Sequence, residues 1–241
     1  MNLIIDIGNT RAKVAVFQQN KLVLTDVVSY TDLSKKIKIL QKEFDIPNCI
    51  IASVGKINAN NLKILSSFKN LVPLNHSTKA PFVNTYKTPK TLGVDRIALV
   101  AAAVSSYPNK NVLIIDAGTC ITYDFVDRSK QYFGGAISPG IGIRYRALNT
   151  FTANLPELKI ADFSLIGKNT NESIHSGVLN GTIQEINGII EQYQNKYSNL
   201  TVVLTGGDIN FLAKKLKSSI FANPIFLLEG LNSILIHNLD E

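Results

Sequence analysis

The feature that most constrains the fold is a short motif that occurs twice. Residues 3–8 read Leu-Ile-Ile-Asp-Ile-Gly, and residues 113–118 read Leu-Ile-Ile-Asp-Ala-Gly. Each copy predicts a buried strand, an Asp-x-Gly turn followed by a hydroxyl or amide residue, and a second strand. Because the copies are far apart in the chain, they indicate a duplicated domain rather than a solenoid of short repeats.

The rest of the chain alternates between predicted helices and strands. Helical spacing of apolar residues occurs near residues 31–44, 58–69, 91–106, 170–197, 209–218 and 229–239. Short apolar strands are predicted near residues 49–54, 71–74 and 200–205. Turn-forming residues concentrate at 106–111, which places a boundary between domains 1–108 and 109–241. We therefore expect an α/β protein with two similar halves and a ligand cleft between them.

Composition and the start of the chain favour a cytoplasmic protein. The 241 residues are 45% hydrophobic and 18% charged, which leaves ample apolar material for a core. No apolar run reaches the ~18 residues of a membrane span, and no secretion signal is recognisable, so we expect no membrane association. The two cysteines, Cys49 and Cys120, and the three histidines have the spacing of neither a metal site nor a catalytic triad.

A formal net charge of +7 raises the question of nucleic-acid binding. The basic residues are spread along the chain, however, and the densest groups, at 35–38 and 214–217, have the spacing of solvated helix faces. The sequence has no RNA-binding signature and no helix-turn-helix pattern. A positive charge equally suits an enzyme with polyanionic ligands, and we expect no nucleic-acid partner.

The repeated turns have the composition of a phosphate and metal site. Gly8 and Gly118 allow the backbone to approach a phosphate closely, and the carboxylates of Asp6 and Asp116 suit a hard cation such as Mg²⁺. A single turn of this kind is most often an ordinary hairpin, whereas two copies in matching frames favour the functional interpretation. The P-loop and dinucleotide-binding fingerprints are absent from the sequence.

Two glycine-rich segments and one acidic–basic pair complete the candidate chemistry. The glycines lie in a predicted loop at 134–140 and in a turn at 205–207, after a third predicted strand. Asp95 and Arg96 lie in the first turns of a predicted helix whose remainder is apolar. Either the acidic residue complements the helix dipole beside a surface arginine, or it accepts a hydroxyl proton beside an arginine that orients an anionic substrate.

Taken in order, these motifs resemble one family, the type III pantothenate kinases, from end to end. The matching segments are 6–13, 92–96, 116–119, 134–140, 152–156, 167–170, 176–177 and 205–207. The resemblance implies two similar ribonuclease H-like (actin-like ATPase) domains with mixed sheets flanked by helices. It also implies ATP-dependent phosphorylation of pantothenate to 4′-phosphopantothenate, the first step of coenzyme A synthesis.

The same resemblance implies a role for each motif. The residues that would bind ATP phosphates are Asp6, Ile7, Gly8, Asn9, Thr10, Arg11, Ala12 and Lys13, with Mg²⁺ near Asp6. Those that would hold pantothenate are Tyr86, Gly93, Val94, Asp95 and Arg96, with Asp95 as the catalytic proton acceptor. Asp116 would bind a monovalent cation, K⁺ or NH₄⁺, and Thr119 would contact ATP. Thr170 would contact pantothenate across the interface of a homodimer with a shared active site.

Two other functions would use the same turns. One is another small-molecule kinase of the actin-like superfamily, which would differ in its acceptor pocket. The other is a non-catalytic regulatory relative that binds a nucleotide or a partner without turnover. The presence of Asp95, Arg96 and Thr170 argues against the regulatory relative. A nucleic-acid-binding module is a more distant third.

Overall fold

The computed structural model describes residues 1–8, 11–53 and 59–239, which form two compact units. The first unit comprises Met1–Pro108 together with Ile225–Glu241, and the second comprises Asn109–Pro224. The division into domains 1–108 and 109–241 stays a prediction. It differs from the two units in the placement of the C-terminal segment.

Strands and helices alternate along the described residues. The strands are β1 (Asn2–Ile7), β2 (Arg11–Gln18), β3 (Lys21–Ser29), β4 (Asn48–Ser53), β5 (Asn70–Pro73), β6 (Val83–Asn84), β7 (Asn111–Ala117), β8 (Cys120–Val126), β9 (Gln131–Pro139), β10 (Leu200–Thr205) and β11 (Phe221–Ala222). The helices are α1 (Leu33–Glu43), α2 (Ala59–Leu65), α3 (Val94–Ser106), α4 (Ile141–Thr150), α5 (Thr170–His175), α6 (Gly181–Lys196), α7 (Ile209–Leu212) and α8 (Phe226–Leu239). A 3₁₀ turn spans Pro89–Thr91, and a π-helical turn spans Ser176–Asn180.

The first unit is built on a mixed sheet in the order β3-β2-β1-β4-β5. Strand β1 is antiparallel to β2 and parallel to β4, which makes it the central strand. Its residues Leu3, Ile4 and Ile5 are fully buried, as a strand covered on both faces requires. Helix α1 packs on this sheet through Leu33 and Ile37.

The C-terminal helix α8 belongs to the first unit because it packs against α3, β1 and β4. A Cβ atom on Gly230 would overlap the carbonyl oxygen of Ala98, so this contact between α8 and α3 requires a glycine. Asn232 on α8 accepts a hydrogen bond from the Asn2 amide (2.9 Å) and donates one to the Gln19 carbonyl oxygen (2.9 Å). These bonds join the two ends of the chain within one unit.

The second unit repeats this arrangement with the strand order β11-β10-β7-β8-β9. Strand β7, which carries the second copy of the motif, is antiparallel to β8 and parallel to β10. Strand β1 has the same two relationships to β2 and β4. The repeated sequence therefore folds in the same way in both units. Helix α6 contributes Ile183, Ile186 and Ile190 to the core beside β7.

Two local predictions were wrong. The glycine-rich segment 134–140 is mostly strand rather than loop, because β9 continues to Pro139. Gly135 lies so close to β8 that a Cβ atom would overlap the Tyr123 carbonyl oxygen, which explains the glycine. The predicted helix 209–218 is the short helix α7, which ends at Leu212. The predicted helix 170–197 is confirmed, since residues 170–196 form one unbroken helical segment in which a π-helical turn joins α5 to α6. Of the helices that the structure describes, none has the length and apolarity needed to cross a membrane.

Candidate active site

The first Asp-x-Gly turn joins β1 to β2. The Gly8 amide donates a hydrogen bond of 3.0 Å to the Arg11 carbonyl oxygen, which closes the turn. The predicted ATP-binding residues Asn9 and Thr10 lie outside the described residues. Ile7 and Ala12 are buried in their strands, so only their backbone groups could contact a ligand.

Asp6 and Lys13 form the charged part of this turn, since they lie directly opposite each other in the β1–β2 ladder. Burial raises the pKa of the Asp6 carboxyl group. The Lys13 ammonium lowers that pKa and the Asp95 carboxylate raises it, and the result is a pKa above the ordinary value. An ionised Asp6 is therefore under-compensated by the protein's own charges, a setting that a bound cation would relieve.

Asp95 lies in the first turn of α3, after the N-cap residue Gly93. One of its carboxylate oxygens, Oδ1, accepts a hydrogen bond of 2.8 Å from the Arg96 amide, while the side chain remains exposed. A Cβ atom on Gly93 would overlap the same oxygen, so a larger residue at this position would displace the Asp95 side chain. A negatively charged side chain in the first turn of a helix complements the helix dipole. Both interpretations of Asp95, dipole partner and proton acceptor, are compatible with this geometry.

Arg96 and Tyr86 form the second part of the acceptor cluster. Arg96 is only 5% exposed, and its guanidinium carbon lies 5.7 Å from the centre of the Tyr86 ring. A cation–π contact of this kind attracts a guanidinium to the ring and restrains its position. Val94 opens α3 and is partly buried. A ring nitrogen of His76 lies 2.8 Å from the Leu92 carbonyl oxygen and holds the segment before the helix.

The structure therefore brings together residues that come from separate motifs. Asp6, Lys13 and Asp95 lie close enough for the charges of the other two to shift the pKa of Asp6. Nothing in the spacing of residues 6 and 95 predicts this proximity. It arises because α3 packs against α8, which in turn packs against β1.

The second Asp-x-Gly turn joins β7 to β8 and is supported by two other glycine segments. The Gly118 amide donates to the Cys120 carbonyl oxygen (2.9 Å), and the Gly140 amide donates to the Thr119 carbonyl oxygen (3.1 Å). Gly206 has a φ of +97°, and a Cβ atom there would overlap Oδ1 of Asp116. Thr119 is exposed at the tip of this turn.

Thr122 is a candidate residue that sequence reasoning missed. It lies directly opposite Asp116 in the β7–β8 ladder, and therefore on the same face of the sheet. Its hydroxyl oxygen is buried and has no hydrogen-bond partner among the residues that the structure describes. Buried hydroxyl groups are usually satisfied, so an unpaired one beside a carboxylate suggests a place for an ion or a water. The sequence could have identified Thr122, because the length of the turn between β7 and β8 determines which residue of β8 lies opposite Asp116.

Thr170 is the first residue of α5 and lies in the second unit. The Asn169 side chain caps this helix by accepting a hydrogen bond of 3.0 Å from the Glu172 amide. Thr170 lines a mainly apolar groove of about 880 Å³ together with Leu148 on α4, Phe151 directly after α4, and residues of α5 and the π-helical turn. Phe151 is 85% exposed.

Comparison with known proteins agrees with the resemblance found in the motifs. The sequence model of the type III pantothenate kinases matches residues 2–192. A type III pantothenate kinase of Flavobacterium johnsoniae is 46% identical over 246 residues, with 100% of both chains covered. The chain belongs to the type III pantothenate kinase family. Membership extends over the whole chain, so both units belong to the family's architecture.

Two solved structures show how widely this kinase family shares its fold. A Baf family protein from Campylobacter jejuni aligns with a TM-score of 0.66 and 22% identity over 99% of this chain and 100% of that one. A glucokinase from an Antarctic psychrotroph aligns with a TM-score of 0.54 and 16% identity over 98% of each chain. Identities this low concern the fold alone. They confirm the predicted α/β class of two mixed sheets flanked by helices.

Proposed function

We propose that this protein phosphorylates pantothenate at the expense of ATP and forms 4′-phosphopantothenate, the first step of coenzyme A synthesis. The observation that carries the proposal is the end-to-end match to type III pantothenate kinases. The acceptor cluster supports it, since Asp95 is exposed beside a buried Arg96 that contacts the Tyr86 ring. A cytoplasmic location fits an enzyme that consumes ATP and whose two cysteines are free.

The side chains divide the reaction between them. The protein's task in phosphoryl transfer is mainly to position the reactants and to balance negative charge. Arg96 would bind the carboxylate of pantothenate, with Tyr86 restraining the guanidinium. Asp95 would align the primary hydroxyl and take its proton, while the Lys13 ammonium and the turn at Gly8 would hold the ATP phosphates.

Asp6 is the residue that we propose for Mg²⁺. Its carboxylate is largely desolvated and only partly compensated by Lys13, so a divalent cation fits it well. Among the described residues there is no cluster of three or more His, Cys, Asp or Glu that could hold a metal ion. Magnesium would therefore be held mainly by the ATP phosphates, with Asp6 as its protein partner, and it would neutralise their charge.

Asp116 is the residue that we propose for the monovalent cation, K⁺ or NH₄⁺. The unsatisfied hydroxyl of Thr122 lies on the same face of the sheet and supplies a second oxygen. A weakly held monovalent ion would neutralise phosphate charge at the Thr119 turn, which lacks a counterpart of Lys13. The donor set is oxygen only, as such a cation prefers.

We also propose that two copies of the chain form a homodimer through the region around Thr170. Phe151 is 85% exposed, and Leu165 and Ile166 are 79% and 74% exposed. Phe151 lines the groove with Thr170, and the Ser176 hydroxyl donates to the Leu165 carbonyl oxygen (2.6 Å). Exposed apolar side chains therefore border this region, as they do at an interaction surface. A second copy is the occupant that we favour, because isologous contacts are the commonest way to cover such a patch.

The function is tested by mass spectrometry of products. Purified protein with ATP, Mg²⁺, K⁺ and pantothenate should yield a species heavier than pantothenate by one phosphoryl group. Glucose in place of pantothenate should yield none, and exchange of K⁺ for a bulky organic cation at constant ionic strength should lower the rate. Phosphorylation of glucose instead would favour a different small-molecule kinase. Absence of any phosphorylated product would favour a regulatory relative.

Mixed dimers should reveal whether the active site is shared. Chains with Asp95→Asn and chains with Thr170→Ala should each be nearly inactive, but a mixture should recover about a quarter of wild-type activity. Recovery is expected because each heterodimer would contain one site with both residues intact. A mixture of Asp95→Asn with Arg96→Ala chains is the control and should stay inactive. If heterodimers form without recovery, Thr170 does not serve the partner's site.

A further inference from the structure

A charged hydrogen-bond network lies behind the second Asp-x-Gly turn. Arg144 on α4 forms a salt bridge with Glu185 on α6. The same guanidinium donates hydrogen bonds to the Pro139 carbonyl oxygen (2.9 Å) and to the Ser138 hydroxyl (3.0 Å). The Tyr123 hydroxyl donates to the second oxygen of Glu185 (2.9 Å). One ion pair therefore joins two helices to strands β8 and β9.

This network ends where the turn begins. Arg144 is hydrogen-bonded to Ser138 and Pro139. The next residue, Gly140, donates a backbone hydrogen bond to the Thr119 carbonyl oxygen (3.1 Å). Gly140 packs tightly against the backbone of the turn, because a Cβ atom on Gly140 would overlap the carbonyl oxygens of Gly118 and Thr119. A shift of Pro139 would therefore be transmitted directly to the backbone of the turn.

The ion pair is well placed to be rigid. The side chains of Arg144 and Glu185 are 22% and 27% exposed. Burial alone would raise the pKa of Glu185, but hydrogen bonds from Arg144, Ser138 and Tyr123 outweigh it and lower the pKa. Glu185 is therefore ionised at neutral pH and pairs with one nitrogen of the planar Arg144 guanidinium, whose fixed donor directions a lysine cannot reproduce.

We propose that the Arg144–Glu185 pair is a positioning device that sets the Thr119 turn in the geometry needed to bind nucleotide. The inference rests on the proposed role of Thr119 in binding ATP. Neither side chain is assigned to the reacting atoms, and both act through Ser138, Pro139 and Gly140. The competing explanation is that the pair only fastens α6 to the sheet and contributes to stability.

Glu185 is the better residue for a test, because Arg144 also lines the groove that contains Thr170. Glu185→Gln keeps the size of the side chain and one hydrogen bond to Arg144 but removes the charge. We expect the KM for ATP to rise about tenfold, with the KM for pantothenate within about twofold of wild type. Arg144→Lys should likewise raise the KM for ATP more than the KM for pantothenate. The double variant should have a KM for ATP no higher than that of the more impaired single variant.

Arg146→Lys is the matched control, since Arg146 is exposed on the same helix. It should leave both KM values unchanged. Equal changes in both KM values, or a lower melting temperature with unchanged KM values, would overturn the proposal. If Glu185→Gln fails to fold, Tyr123→Phe removes one hydrogen bond of the same network and should give a smaller shift of the same kind.

Binding of a fluorescent ATP analogue separates this inference from the proposed function. Wild-type protein that binds the analogue but does not phosphorylate pantothenate would refute the function and leave the positioning role measurable. Glu185→Gln should then still weaken analogue binding about tenfold. Unchanged binding by this folded variant would refute the positioning role, whatever the acceptor substrate proves to be. Failure of the wild-type protein to bind the analogue would also refute the positioning role.

Discussion

Asp95→Asn is expected to lower turnover with pantothenate by about 10²–10⁴-fold while ATP binding stays largely intact. The asparagine has the size of the aspartate and can still accept the hydrogen bond from the Arg96 amide, so α3 should keep its N-terminal turn. It cannot accept a proton from the substrate hydroxyl. Steady-state kinetics and nucleotide binding on the same preparation would separate the two effects.

The matched control for this prediction is Asp45→Asn. Asp45 is an exposed carboxylate in the same unit, and it should tolerate the change with unaltered kinetics. A nearly active Asp95→Asn enzyme with an unchanged pH profile would contradict the assignment of Asp95 as the base. The carboxylate would then serve α3 as a helix-dipole partner, the simpler interpretation of its position.

The repeated motif was the most informative part of the sequence because its effect on structure is local. A buried strand that ends in Asp-x-Gly fixes its own turn, and the partner strand follows at once. The two copies accordingly have the same pairing in the structure, β1 with β2 and β7 with β8. The helix after Asp95 was predictable for the same reason, since its apolar run defines it without reference to the rest of the chain.

Other features could not be predicted because they depend on contacts between distant segments. The convergence of Gly140 and Gly206 on the turn at Gly118 requires the register of β9 against β8 and of β10 against β7. The Arg144–Glu185 pair requires two helices to meet, and no local pattern encodes that meeting. The proximity of Asp6 and Asp95 is of the same kind. The sequence therefore predicts each motif of the site separately. It does not predict which motifs the fold brings together.

Asp6→Asn is expected to have two opposite effects. Activity with Mg²⁺ and ATP should fall by about 10²-fold, because the nucleotide-bound cation loses its protein partner and the phosphates lose their correct placement. The nucleotide-free protein, in contrast, should become more stable. Burial raises the pKa of Asp6 above its ordinary value of 3.8, so the folded protein disfavours the charge that this residue has at neutral pH.

The pH dependence of this gain follows from the sign of the shift. In the interval between 3.8 and the higher folded-state pKa, the folded protein retains a proton that the unfolded chain releases. Stability therefore falls as the pH rises through this interval, and the loss is complete above it.

Asparagine carries no such charge, so the melting temperature of Asp6→Asn should exceed that of wild type at pH 7. The difference should shrink as the pH is lowered into the interval. Thermal unfolding of both proteins at several pH values, without metal or nucleotide, measures this difference in melting temperature. A variant less stable than wild type at pH 7 would show that Lys13 compensates the Asp6 charge fully, and the argument for a cation at this turn would fail.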